Sequence, residues 1–179
     1  MRQLTFVAFE GISLTSKIIK FFTRSNISHV AFLAYEDLNI LVEPWPEDPN
    51  SITSFFKQVW RSNKLENHTS GTKYTVWALN VDDHKWQKTR EFYLELARSR
   101  CGYNWWGVIG FVIPLFKETP GKYFCSEGLV EGLKQGGLIP DTIKSWKYSP
   151  DEFIELIQVL GAVQVKTDIV RGNLESQQS

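Results

Sequence analysis

Ser28–Glu43 reads SHVAFLAYEDLNILVE, and the pairing of its two halves decides the fold. His29–Tyr35 is rich in β-branched, aromatic and small apolar residues, which predicts a buried strand. Asn39–Glu43, NILVE, reads as the return strand, with Glu36-Asp37-Leu38 as the hairpin loop. A strand period of two places His29, Ala31, Leu33 and Tyr35 on one face. With a three-residue loop, Tyr35 faces Asn39, Leu33 faces Leu41 and Ala31 faces Glu43. Glu43 then lies diagonal to His29 on the same face, within reach of a carboxylate–imidazole hydrogen bond. A two-residue loop would turn Glu43 to the opposite face, so this pairing rests on the register.

Working outward, Leu4–Phe9 predicts a strand, broken by Gly11-Ile12-Ser13. Ser13 or Thr15 can cap a helix through Ile18, Ile19 and Phe22. On the other side, PWPEDPN (Pro44–Asn50) predicts a rigid loop, because proline fixes its own φ and restricts its neighbour. Ser51 caps an expected helix carrying Ile52, Phe55, Phe56 and Val59, and Arg61–Gly71 is polar and reads as exposed. Lys73–Val81, KYTVWALNV, is a strand. Asp82 or Asp83 caps a helix through Phe92, Leu94, Leu96 and Ala97, with Gly102 where a left-handed C-terminal cap is wanted. Cys125–Gln135 predicts a helix ended by Gly136-Gly137. Ser149-Pro150-Asp151-Glu152 is a capping box with proline at the first helical position, opening a helix to Leu160. Ala162–Val165 reads as a last strand. Strands cluster early with helices around them, so the class is α+β. Residues 1–170 are expected to form a single domain, followed by a polar, disordered tail over 171–179.

The chain has 179 residues, a size that suits one domain and buries a core without disulfides or a structural metal. Twenty basic residues against twenty acidic ones leave no basic field, which argues against a nucleic-acid partner. Two cysteines make no disulfide framework, and with three scattered histidines a four-ligand zinc site is hard to build. The N-terminal MRQLTFVAFEGIS lacks the long apolar segment of a secretory signal. The longest apolar run, Trp105–Phe116 (WWGVIGFVIPLF), falls short of the about 20 residues a membrane span needs. The expected location is the cytoplasm, where free thiols persist.

Three residues carry chemistry: His29, Glu43 and Cys125. Cys125 stands at the expected start of a helix, where the dipole and unpaired backbone N–H groups favour thiolate. Thiolate, imidazole and carboxylate are the parts for nucleophilic acyl transfer. The thiolate attacks a carbonyl, the imidazolium protonates the leaving group and the carboxylate holds the imidazole tautomer. The Cys125 N–H would supply an oxyanion donor. Singly, each has an ordinary reading: a small buried hydrophobe, as expected for Cys101, a core histidine, a solvated strand end. The combination outweighs them. His68, in a polar stretch, and His84, near a helix start, both read as surface. Asn67-His68-Thr69 matches a glycosylation sequon, taken as coincidence.

At these residues the chain resembles the circularly permuted branch of papain-like NlpC-type cysteine hydrolases, the YiiX-like group. SHVAFL carries the His, LVEPWP the third polar residue and YFCSEGLVEGL the Cys, in the permuted order with the His strand first. FEGISLTSKIIKFFTRSNISHVAF resembles the family's opening: a Gly-x-Ser turn, a helix, then Thr-x-Ser before the His. CGYNWWG resembles its Tyr-Asp-x-x-Gly segment, with Asn104 where Asp is commoner. The resemblance spans Phe6 to about Gly137. It implies a permuted papain-like fold, with a small antiparallel sheet packed against the Cys helix. It also implies Cys125 as nucleophile, His29 as base and acid, Glu43 as orienting residue and Tyr103 near the oxyanion side. Tyr103 reads equally as a core aromatic beside Trp105 and Trp106. The activity the resemblance implies is a Cys-His-Glu hydrolase with no metal or cofactor, forming a thioester acyl-enzyme and cleaving an amide bond in a peptide or peptidoglycan-derived substrate. The alternatives are a lipid acyl hydrolase or acyltransferase of the same fold, motivated by Trp105–Phe116, and a non-catalytic binding protein that keeps the cleft.

Overall fold

A computed structural model describes residues 1–35, 37, 39–47, 57–110 and 119–171, with backbone only at 14, 15, 18, 22 and 23. Among the described residues a six-stranded antiparallel sheet has the order β4-β3-β2-β1-β5-β6. The strands are β1 (Arg2–Glu10), β2 (His29–Tyr35), β3 (Ile40–Pro46), β4 (Gln58–Lys64), β5 (Lys73–Val81) and β6 (Val163–Ile169). The helices are α1 (Leu14–Thr23), α2 (Asp83–Arg98), α3 (Trp105–Gly110), α4 (Cys125–Gln135) and α5 (Pro150–Val159). The class is α+β.

Alternation along the central strands gives the sheet two apolar faces. Leu4, Phe6, Ala8, Val30, Phe32 and Val42 join Tyr93 of α2, Leu129 and Leu133 of α4 and Phe153 of α5 in the larger core. Val7, Phe9, Ala31, Leu41 and Tyr74 form a smaller cluster on the other face, with Val170.

On the larger face, α4 approaches closely because Gly128, Gly132 and Gly136 stand one turn apart. A Cβ at Gly132 would lie 1.9 Å from a Tyr93 ring carbon, at Gly128 2.3 Å from the Trp60 ring, and at Gly136 1.8 Å from Thr89 Oγ1. Tyr93 uses the space to donate from its hydroxyl to the Leu129 carbonyl at 2.7 Å, and the Trp60 indole N–H donates to the Tyr123 carbonyl at 3.0 Å. The Cys helix is thereby seated against β2, β4 and α2.

The hairpin has the decisive register. Phe32 pairs with Val42 and Leu33 with Leu41, and a bulge toward the loop sets Tyr35 against Ile40 rather than Asn39. Asp37 is described in that loop, while Glu36 and Leu38 lie outside the described residues.

Pro44–Pro46 is strand, not rigid loop: Pro44 pairs with Trp60, Trp45 with Val59 and Pro46 with Gln58. The described β2 pairing ends at Val42, so this end of β3 has β4 on one side only, and an edge tolerates proline. Val59 belongs to β4, not to a helix, and Arg61–Lys64 continues that strand instead of forming an exposed polar stretch. The rest of the expected helix, Ser51 to Phe56, lies outside the described residues, as do 111–116 of the apolar run and 172–179 of the tail. The last strand is longer than Ala162–Val165, reaching Ile169.

Helix capping follows the sequence closely. Ser13 caps α1, Asp82 caps α2 by accepting from the Lys85 N–H, and Ser149 and Glu152 form the capping box of α5. Gly102 is not the cap of α2. Arg100 takes the left-handed conformation there (φ 52°), while Gly102 bridges Val59 of β4 and Lys122, so that Tyr103 follows from a fixed backbone.

Candidate active site

His29 is held at the mouth of β2 by a small polar lock. Ser28 accepts from the Gly11 N–H at 2.9 Å and donates to the Phe9 carbonyl at 3.1 Å, and its own N–H donates to the same carbonyl. Gly11 is needed for this approach, since a Cβ there would lie 2.1 Å from Ser16 Oγ and 2.7 Å from Ser28 Oγ. Phe9 and His29 are cross-strand partners, which fixes the imidazole on the smaller apolar face.

Glu43 reaches that face from β3. Its side chain is fully buried, and its Oε2 lies 2.7 Å from His29 Nε2. Oε1 accepts from Asn63 Nδ2 at 2.7 Å, and Asn63 is braced in turn by Asn67 Nδ2 at 2.6 Å. A second imidazole completes the set. His68 Nε2 lies 3.1 Å from both carboxylate oxygens, and its ring stacks on Phe9 at 4.0 Å with 8° between planes. Trp45 meets the same ring edge-on at 4.8 Å.

Cys125 opens α4, 2 % exposed, with its thiol beside the His29 imidazole. Since His29 Nε2 serves Glu43, Nδ1 is the ring nitrogen left for the thiol. The imidazole is 18 % exposed, so it is open to solvent at one edge. Burial disfavours its cation, yet the hydrogen bonds to Cys125 and Glu43 and their negative charge prevail and push His29 up to about 10. Burial likewise works against the Glu43 carboxylate, but His68 and His29 together hold it far below the usual carboxylate range.

Tyr103 is buried beside Trp105, Val108 and Phe124, edge-on to Trp105 at 4.8 Å. Burial raises its hydroxyl well above the ordinary value, with a further contribution from the negative charge of Cys125. It is therefore both a core aromatic and a neighbour of the thiol. Its segment is tied to the Cys helix through Asn104. Asn104 Nδ2 donates to Glu127 Oε2 at 3.1 Å, while its Oδ1 accepts from the Gly107 N–H and from Thr119. The same Glu127 oxygen accepts from the Phe124 N–H, closing the turn that presents Cys125.

Cys101 takes the other course. Its thiol donates to the Gly121 carbonyl at 3.3 Å and packs against the larger core, and burial pushes the thiol up. Both cysteines are free.

His29, Glu43 and Cys125 thus converge on one point, with Tyr103 close by. His84 is exposed, as expected. His68 is not a surface residue: its side chain is 9 % exposed and bonded to Glu43. Polar surroundings in the sequence hid it. Its place depends on β4 pairing with β3, and Gln58–Lys64 carries too little apolar alternation to announce a strand. The available signal was the Val59-Trp60 pair in an otherwise polar stretch.

Among the described residues, no cluster of three or more His, Cys, Asp or Glu side chains is arranged to hold a metal ion, and no helix is long and apolar enough to cross a membrane. Compared with known proteins, the chain matches no family model and no curated protein.

Proposed function

We propose that the protein is a cysteine hydrolase in which Cys125 is the nucleophile, His29 the proton carrier and Glu43 the residue that orients it. The observation that carries this reading is the 2.7 Å contact between His29 and a fully buried Glu43, with the Cys125 thiol at a helix start beside the same imidazole. His29 takes up the Cys125 thiol proton as the sulfur becomes the nucleophile. The thiolate adds to the substrate carbonyl, and the backbone N–H at the start of α4 faces the developing oxyanion. His29 passes its proton to the departing amine as the C–N bond breaks, leaving a thioester. Neutral His29 then takes a proton from water as the hydroxide attacks. Collapse releases the acid and the Cys125 sulfur, and the imidazolium is restored.

The resemblance to the permuted papain-like NlpC-type group supports this assignment residue by residue. It favours an amide bond in a peptide or peptidoglycan-derived fragment as substrate. Two free cysteines suit a reducing compartment, which supports action in the cytoplasm.

The test is alkylation of the native protein with iodoacetamide at neutral pH, mapped by mass spectrometry. Cys125 is expected to label well ahead of Cys101, and His29→Ala to remove that lead. Equal labelling of the two thiols in the wild type would sink the reading.

A second reading keeps the chemistry and changes the substrate to an acyl lipid. Trp106 of α3 is 55 % exposed and Phe21 of α1 is 77 % exposed, and these two helices pack together. Exposed aromatics on two helices packed together suit acyl chains or a bilayer surface. Co-sedimentation with phosphatidylcholine vesicles, reduced in a Phe21→Ser/Trp106→Ser variant, would favour it over the peptide substrate.

A further inference from the structure

Glu43 carries more partners than a two-member orienting pair requires. A carboxylate that is fully buried must find compensation for nearly every lone pair, and a single imidazole supplies one donor. Here Oε2 serves His29, Oε1 serves Asn63, and His68 Nε2 sits 3.1 Å from both. His68 is itself clamped, with Phe9 stacked on one face and Trp45 edge-on. Its ring centroid lies 5.9 Å from that of His29, so the two imidazoles share the carboxylate without touching each other.

We infer that His68 is a positioning residue of the same site, a second imidazole that keeps the Glu43 carboxylate ionised and aligned for His29. This rests on the proposed chain Cys125–His29–Glu43 and extends it by one member. The groups facing Glu43 are His29 from β2, His68 after β4, Asn63 from β4, and Arg61, its cross-strand partner on β4. Cys125 acts on it only through His29. Of these, His68 and His29 draw the carboxyl down against the opposing effect of burial, His68 through its charge and its hydrogen bond. Without His68, burial regains weight and Glu43 takes up a proton at higher pH. A protonated Glu43 offers the His29 ring a weaker acceptor, so the ring loses its alignment on Cys125 as acid is added.

The experiment follows the Glu43 carboxyl carbon by NMR across a pH titration of the whole chain, in the wild type, His68→Phe and His68→Gln. His68→Phe keeps a flat ring for Phe9 and loses the donor; His68→Gln keeps a donor. The Glu43 midpoint is expected to rise by about one pH unit or more in His68→Phe and to return part of the way in His68→Gln. An unchanged midpoint in His68→Phe overturns the inference. Should that variant not fold, the wild type alone decides: the His68 Nε2 resonance must shift with the Glu43 midpoint, and an independent response refutes the coupling. Iodoacetamide labelling of the same samples separates the two readings. Slow wild-type labelling at Cys125 removes the hydrolase assignment and leaves the His68–Glu43 coupling standing. Fast labelling whose acid limb stays in place in His68→Phe refutes the positioning role of His68 and leaves the hydrolase assignment standing.

Discussion

The two faces of the central sheet solve the burial problem in opposite ways. On the face covered by α2, α4 and α5, the contact is close-packed and nearly all apolar, made possible by three glycines that let Tyr93, Trp60 and Thr89 press against the backbone of α4. On the other face a buried, charged carboxylate is held by His29, His68 and Asn63, with Phe9 and Trp45 packed on His68. Close packing stabilises a fold directly, whereas a buried charge stabilises it weakly and is justified by what it does. Cys125 belongs to both. It sits on the packed helix and lies beside His29 of the polar cluster, so the rigid face serves to aim the reactive one.

The sharpest way to break this division is Cys125→Ala. If the polar cluster is for chemistry, turnover falls by about 10⁴-fold or more, since a nucleophile cannot be replaced by its neighbours. The melting temperature changes by only a few degrees, because a small buried side chain is exchanged for a smaller one. A reporter ester and a thermal melt on the same sample check both halves. Retained turnover would place the chemistry elsewhere.

Glu43→Ala comes next and acts on stability as well as activity. It leaves His29, His68 and Asn63 facing an empty carboxylate site, with a cost of about 3–5 kcal/mol. Its pH dependence has a definite sign. His29, raised from an ordinary 6.5 to about 10, contributes stability fully below 6.5 and loses it as pH rises toward 10. Glu43, depressed from an ordinary 4.5, contributes fully above 4.5 and loses it as pH falls below that value. The difference in unfolding free energy between wild type and Glu43→Ala should therefore peak between about pH 4.5 and 6.5 and shrink on both sides. Urea melts at about pH 3, 5.5 and 10 test this; a difference that keeps growing toward the alkaline end contradicts the ion-pair account.

How much of each face could be read from sequence follows from range. β2, β5, α2, α4 and α5 were legible because local signals agree: alternation in HVAFLAY and KYTVWALNV, an Asp at the start of α2, a serine capping box for α5. Glu43 was legible through a short hairpin whose Leu33–Leu41 register places it. His68 and Asn63 were not, because their position is set by β3–β4 pairing across a proline-containing edge, and their own stretch is polar. The glycine stripe was equally silent, since Gly128 and Gly132 within a helix read locally as weak points. Their value lies in partners far away in sequence, Trp60 and Tyr93.

Gly132→Ala sharpens the comparison from the packed side. The added methyl would meet the Tyr93 ring, which is fully buried and tied by its hydroxyl to the Leu129 carbonyl. The cost expected from such overpacking is about 2–3 kcal/mol. The rate of Cys125 alkylation well below the melting temperature should stay within about twofold, because Tyr93 lies in the apolar core and not in the polar cluster. A large fall in alkylation with little loss of stability would mean that α4 shifts as a body, and that the two faces are not separable.

The smallest expected effect comes from Asn104→Asp. In this chain Asn104 faces Glu127, and only the amide has a donor for that carboxylate. Aspartate keeps the acceptor for Gly107 and Thr119 but sets a second negative charge against the first, at two positions that are each 1 % exposed. Like charges at hydrogen-bond distance raise the affinity of the pair for a proton. The loss, about 1.5 kcal/mol at neutral pH, should therefore fade in mild acid as one carboxyl becomes protonated and donates in place of the amide. Urea melts at about pH 7 and pH 5 measure that recovery. The opposite sign, an Asn104→Asp variant more stable at neutral pH than in mild acid, would show that Glu127 is already neutral in the native protein and that Asn104 holds the Cys helix through its acceptor alone.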